Sequence, residues 1–249
     1  MIILLLPGAD GTGVLFEPFV ESIKTSINDV SKSIVPISTA IINLNDDEFG
    51  NPLEQNLSSQ SMRIESQYDD QTVIVIAESY SGLLAYELLS RQNLDISQVI
   101  FIASFLQSPS RFAVIAAKIR PIWLKGVLKI TPSLLWGRVL FGRWQTPRLR
   151  CLFNQALEKT PNQLLQQRLA IIAKMVAPNK TIDVPCLYLQ ARQDNLVSVQ
   201  NIEIFSQIFT NFTSVAVNGT HFLLQTNPEA VWQVIKKQIS FGTNQHYEM

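Results

Sequence analysis

Ser79 stands in the run Val-Ile-Val-Ile-Ala-Glu-Ser-Tyr-Ser-Gly-Leu-Leu-Ala-Tyr-Glu-Leu-Leu-Ser-Arg over residues 73–91, where an apolar stretch meets a turn and then an amphipathic helical pattern. A nucleophilic serine at such a turn sits in a strained conformation with its hydroxyl exposed at the head of the helix. The backbone crowds the residues two before and two after it, so both must be small. Here they are Ala77 and Ser81, and Gly82 follows, which permits close contact between helix and sheet. The helix N-terminus favours developing negative charge. The alternative is that Ser79 is a helix N-cap, a role serine favours. Ser81 is the poorer nucleophile, because Leu83 would then occupy the crowded position two residues on.

Serine is a weak nucleophile at its free pKa and needs a neighbouring base. The chain has two histidines. His246 lies in a tail, Phe241–Met249, that reads as frayed. His221 follows the apolar run Ser214–Val217 through Asn218-Gly219-Thr220, in a loop that can reach across to Ser79. The alternative for His221 is a partly buried side chain satisfied by backbone. A base needs a partner to hold its tautomer and stabilise its charged form. Asp194 fits, in the loop Ala191-Arg192-Gln193-Asp194-Asn195 after a strand at Cys186–Gln190. Its alternative is a turn residue. Asp183 precedes that strand and belongs to the wrong edge of the sheet.

Acyl transfer also needs donors for a developing oxyanion. The first loop, Pro7-Gly8-Ala9-Asp10-Gly11-Thr12-Gly13, carries glycines that let backbone N–H groups point at a ligand. A loop of this kind could hold a phosphate instead. Its G-x-x-G-x-G spacing does not fit the dinucleotide fingerprint, and no Lys-Ser/Thr pair follows to make a Walker A loop.

The elements that must position these residues read as alternating strands and helices. Short apolar runs at Ile2–Leu6, Thr39–Leu44, Val73–Ile76, Val99–Ala103, Cys186–Gln190 and Ser214–Val217 suit strands buried on both faces. Helical patterns lie at Leu15–Ser26, Pro52–Ser66, Gly82–Arg91 and Pro228–Gln238. This order predicts a doubly wound α/β fold with a mostly parallel sheet of about six strands. Ile34–Ile37 reads equally as a strand or a loop. The stretch 105–183 breaks the alternation. It carries Pro109, Pro121, Pro132 and Pro147, each expected to end or kink a helix, with an amphipathic piece at Arg111–Arg120 and another at Leu164–Val176. It reads as an inserted helical cap over the C-terminal edge of a core formed by residues 1–104 and 184–249.

The first loop, the elbow Ala77-Glu78-Ser79-Tyr80-Ser81-Gly82, Asp194 with Val197, and Gly219-Thr220-His221-Phe222 together resemble a small bacterial serine esterase, lipase and thioesterase-like group of the α/β-hydrolase superfamily. The chain order Ser79, Asp194, His221 is the order of that superfamily. The resemblance implies backbone N–H groups of Ala9 and Tyr80 as the oxyanion donors. Three departures stand out: Ala77 and Ser81 replace glycines, Pro7 stands where many members have a histidine, and the chain opens on what would be the third strand of the full fold, leaving out the first hairpin.

Composition bounds the rest. Hydrophobic residues make up 47 % and charged ones 16 % of 249 residues, the profile of a globular chain, and the formal net charge of zero gives no basis for nucleic-acid binding. Two cysteines make no disulfide framework. The N-terminus lacks the features of a signal peptide, and no run approaches the ~18 apolar residues of a membrane span. The expectation is therefore a cytoplasmic protein. The charge is uneven: residues 1–104 carry 14 acidic and 4 basic side chains, whereas 105–157 carry nine basic ones and no acid. The nine are Arg111, Lys118, Arg120, Lys125, Lys129, Arg138, Arg143, Arg148 and Arg150. The cap thus reads either as a plain helical lid or as an apolar acyl pocket with a basic outer face suited to an acidic acyl-carrier protein or an anionic lipid surface.

The sequence thus predicts hydrolysis of a small-molecule carboxylic ester or thioester through an acyl-Ser79 intermediate, with His221 as base and Asp194 holding it. No metal or organic cofactor is implied. Acyl transfer to an alcohol by the same three residues is the enzymatic alternative, and a non-catalytic ligand-binding protein is the other.

Overall fold

The computed structural model describes residues 2–29, 38–46, 56–109, 126 and 133–239. Six strands form one sheet: β1 (Ile2–Leu6), β2 (Ser38–Ile41), β3 (Val73–Glu78), β4 (Ile96–Ile102), β5 (Cys186–Gln193) and β6 (Phe212–Thr220). Their order is β2-β1-β3-β4-β5-β6, and every neighbouring pair is parallel. This is the expected doubly wound sheet, and it is parallel throughout.

Period-2 alternation sends the strand side chains to two separate cores. Leu4, Leu6, Val75, Ala77 and Phe101 pack on one face under α2 (Leu57–Tyr68), α3 (Ser81–Arg91) and α7 (Asn201–Ile208). Ile3, Leu5, Ile74, Ile76 and Ile102 pack on the other under α1 (Glu17–Asp29) and α9 (Pro228–Gln238), where Phe19 meets Trp232 edge-on at 6.2 Å. Helices α4 (Ser133–Phe141), α5 (Pro147–Lys159) and α6 (Asn162–Lys174) lie between β4 and β5 in the chain, and a short α8 (Leu223–Thr226) follows β6.

The boundaries differ from expectation where polar residues interrupt an apolar run. β4 starts at Ile96, because Ser97 and Gln98 belong to the strand, and the edge strand β6 extends to Thr220 with Thr213, Ser214, Ala216 and Asn218 exposed. β2 stops at Ile41; the Ile42 amide still donates to Leu5 O at 3.0 Å, and the chain then turns towards the first loop, so that the Leu44 amide donates to Gly11 O at 2.7 Å. Pro147 opens a helix rather than ending one. It occupies the first turn of α5, where its missing N–H costs nothing, behind Thr146, whose Oγ1 accepts from the Leu149 amide at 3.1 Å. Helix α7 is an addition to the expected elements; it is eight residues long and no side chain caps its start. The alternatives at Ile34–Ile37, the piece Arg111–Arg120, Pro121, Pro132, the start of the helix expected at Pro52, and the tail with His246 lie outside the described residues.

Among the described residues no helix is long and apolar enough to cross a membrane.

The head of α3 presses on the sheet at Gly82, where an added Cβ would lie 2.9 Å from Ser104 Cβ and 3.3 Å from Phe105 O. Ser104 cannot retreat, since its Oγ donates to Ala77 O at 2.9 Å and its own carbonyl accepts from Tyr188 Oη at 2.8 Å. Replacing Gly82 with Ala is therefore expected to destabilise the fold by about 1–3 kcal/mol, read as a lowered midpoint in urea unfolding with an unchanged m-value.

Candidate active site

Strand β3 ends in a left-handed turn. Ser79 has φ 51°, while its amide still donates to Ile102 O at 3.0 Å and so belongs to the sheet. A non-glycine residue held there costs about 1–3 kcal/mol and persists only where its surroundings over-determine it. They do: Ser79 O accepts from the Gly82 amide at 3.1 Å as α3 begins, and Ser81 Oγ, fully buried, donates to Pro7 O across the turn. Ser81 is thus committed to the first loop. Helix α3 has no side-chain N-cap, and the Ser79 hydroxyl turns elsewhere.

It meets His221. Ser79 Oγ and His221 Nε2 are 2.9 Å apart, and His221 Nδ1 and Asp194 Oδ2 are 3.0 Å apart. The other carboxylate oxygen, Asp194 Oδ1, accepts from the amides of Leu196 and Val197 at 2.8 and 2.9 Å. The structure thus joins Ser79, His221 and Asp194 in one hydrogen-bonded row, although they leave strands β3, β6 and β5. The side chains of His221 and Asp194 are 10 % and 7 % exposed, so these two members of the row are shielded from water.

That shielding sets the electrostatics. Burial works against ionising Asp194, but the His221 charge and hydrogen bond and the two amides outweigh it and lower its pKa. Burial likewise disfavours protonated His221, but Asp194 outweighs it, with help from Glu78, and the pKa rises above its ordinary 6.5. A neutral His221 carrying its proton on Nδ1 leaves Nε2 free to accept from Ser79.

Ser79 and His221 open into a cavity of about 330 Å³. Gly8, Ala9 and Leu15 form one part of its wall, Phe105 and Pro109 another, and Leu196 and Val197 from the loop after Asp194 a third. Phe153, Ala156 and Leu157 of α5 and Leu165, Leu169 and Ile172 of α6 close it with aliphatic and aromatic surface. Ala9 borders the cavity, and Tyr80 follows Ser79 at the head of α3 with its ring buried in the core. Phe222, next to His221, packs edge-on against Phe141 at 5.2 Å and Phe153 at 5.7 Å, tying the histidine loop to α4 and α5.

Two polar residues at the site escaped sequence reasoning. Glu78 lies in the cavity wall and is 4 % exposed; its Oε2 accepts from Gln225 Nε2 at 3.4 Å, and its Oε1 has no partner among the described residues. Burial raises its pKa to about 7, with Gln225 opposing, Asp10 adding to the rise and His221 opposing. Nothing in an apolar strand ending in glutamate marks it. Arg168 is 2 % exposed on α6. A signal existed here, because Arg168 interrupts the buried stripe Leu164, Leu165, Ile172 at helical spacing.

The basic residues of 105–157 are only partly described. Arg148 is drawn to Glu17 at 2.6 Å and Glu21 at 2.5 Å, Arg143 lies 4.4 Å over the Trp144 ring, and Arg150 reaches Gln145 at 3.4 Å. Arg111, Lys118, Arg120, Lys125 and Lys129 lie outside the described residues.

No protein-family model and no curated protein matches the chain. Solved structures do. A thermophilic esterase from Thermogutta terrifontis superposes with a TM-score of 0.71 at 14 % identity, covering 95 % of this chain and 88 % of the other. N-formylmaleamic acid deformylase from Pseudomonas putida gives 0.70 at 12 % identity, covering 94 % and 91 %. An esterase from Exiguobacterium antarcticum gives 0.69 at 13 % identity, covering 95 % and 91 %. The chain has the α/β-hydrolase fold.

Two titrations check the electrostatics. With only two histidines in the chain, NMR should place the midpoint of His221 above 6.5 and Asp194→Asn should lower it. For Glu78, a raised pKa means that the folded state holds a proton the unfolded state releases, so stability falls as pH rises from 4.5 towards 7. Glu78→Gln should remove that fall, of order 3 kcal/mol, and its thermal midpoint should overtake that of the wild type above neutrality.

Proposed function

We propose that this chain is a serine hydrolase that cleaves a carboxylic ester or thioester through an acyl-Ser79 intermediate. The observation that carries this reading is the row Asp194–His221–Ser79 at 3.0 and 2.9 Å, opening on an apolar cavity. His221 Nε2 takes the Ser79 proton as Oγ attacks the acyl carbonyl. The tetrahedral oxyanion accepts from the Ala9 and Tyr80 amides. His221 then gives its proton to the leaving alkoxide or thiolate, and the acyl group stays on Ser79. Water attacks the acyl-enzyme, His221 takes its proton, and the carboxylic acid leaves as Ser79 regains its hydrogen. Asp194 holds the Nδ1 proton and stabilises the imidazolium in both halves.

Esterases of the same fold support hydrolysis by analogy of fold alone. The helices between β4 and β5 act as the lid of the acyl pocket. The substrate is a small ester or thioester whose acyl part is apolar, because the wall offers little to a polar one. The same wall favours a second reading, acyl transfer, since a pocket that excludes water lets an alcohol compete at the acyl-enzyme.

A fluorophosphonate probe should label the wild type and fail on Ser79→Ala, whereas equal labelling of both would overturn the assignment. Among p-nitrophenyl esters, kcat/KM should rise from acetate towards medium-chain acyl groups. Product analysis with added long-chain alcohol separates hydrolysis, which gives the acid, from transfer, which gives the new ester.

A further inference from the structure

Arg168 reaches from α6 to the loop after β1. Its Nη1 donates to Ala9 O and its Nη2 to Leu44 O, both at 3.0 Å. Thr160, between α5 and α6, donates Oγ1 to Asp10 O at 3.0 Å, and Asn45 Nδ2 donates to the same carbonyl at 2.8 Å. Gly8 O accepts from the Gly11 amide at 3.0 Å, and Gly11 O accepts from the Leu44 amide at 2.7 Å. Every carbonyl from Gly8 to Gly11 is therefore held. Gly11, at φ 70°, leaves the room this needs, since an added Cβ would lie 2.2 Å from Arg168 Nη1.

A planar trans peptide points its C=O and the following N–H in opposite directions, and no peptide among the described residues is cis. Holding the Gly8 and Ala9 carbonyls thus sets where the Ala9 and Asp10 N–H groups aim. Gly8 itself lies close to the nucleophile, with its added Cβ 3.8 Å from Ser79 Cβ. Burying a guanidinium is costly unless it is fully engaged, and the stripe around Arg168 would accept an aliphatic residue.

We propose that Arg168 is a positioning residue for acyl transfer, holding the Gly8–Gly11 loop from the lid side so that its N–H groups meet the oxyanion at Ser79. The proposal rests on the serine-hydrolase reading above. It predicts a loss that appears in the tetrahedral state and not in ground-state binding.

The test compares wild type, Arg168→Met, Arg168→Lys and Thr160→Val with p-nitrophenyl butyrate as substrate and an alkylboronic acid, which forms a tetrahedral adduct on serine, as inhibitor. Arg168→Met should lower kcat by about tenfold to a hundredfold, with KM within about threefold, and weaken boronate binding in step with kcat. Arg168→Lys should recover part of both, and Thr160→Val should show the same split at smaller size. Unchanged kcat, or a fall in kcat with boronate affinity intact, overturns the proposal. Should Arg168→Met fail to fold by circular dichroism, the lysine and valine variants decide it on the same readings. Fluorophosphonate labelling separates the two levels: an unlabelled wild type ends the hydrolase reading and this one with it, while a labelled wild type with indifferent variants ends this one alone.

Discussion

Parallel pairing sends every strand out of the sheet at the same rim, and the site depends on that constraint. The order β2-β1-β3-β4-β5-β6 reverses direction between β1 and β3, so the chain leaves those two neighbours towards opposite sides and a crevice opens between them. The first loop leaves β1 and Ser79 leaves β3, side by side. Asp194 and His221 leave β5 and β6, so His221 must cross three strand spacings of about 4.8 Å each to reach Ser79. The loop after β6 makes that crossing with its histidine braced on both sides, by Asp194 through a hydrogen bond and by Phe222 through its aromatic neighbours.

Around this rim the molecule mixes two kinds of surface. The cavity wall is aliphatic and aromatic, which strengthens each electrostatic interaction inside it. The polar groups that remain are tied to one another: Asp194 to two amides, His221 to Asp194, and Asp10 Oδ2 to the Thr12 amide at 3.0 Å and hydroxyl at 2.6 Å. Glu78 is the exception, with one oxygen unpartnered among the described residues and a pKa near neutrality. The carboxyl next to Ser79 therefore changes charge near neutrality, and its charge is one of those that raise the pKa of His221.

Much of this is legible in the amino-acid order, and the reasons are specific. Ile2–Leu6 and Pro228–Gln238 keep the limits their patterns predict, because the first is uniformly apolar and the second opens on a proline and keeps a clear apolar stripe. Ser79, His221 and Asp194 are legible because each comes just after a strand, and parallel strands deliver their C-terminal loops to one edge. The strand ends are less legible: β6 is an edge strand whose polar outward face hides three of its residues beyond Val217. Arg168 and Glu78 are hidden for a different reason. The break in the stripe of α6 marks Arg168 as buried but not what it holds, because the contacts of both residues are with positions more than a hundred away, Ala9 and Gln225.

The left-handed backbone at Ser79 sets two demands against each other at one residue. Glycine would adopt φ 51° without steric strain, yet it would remove the hydroxyl that meets His221 Nε2 at 2.9 Å. Relief of the backbone and the contact between β3 and the loop after β6 therefore cannot both be had at position 79.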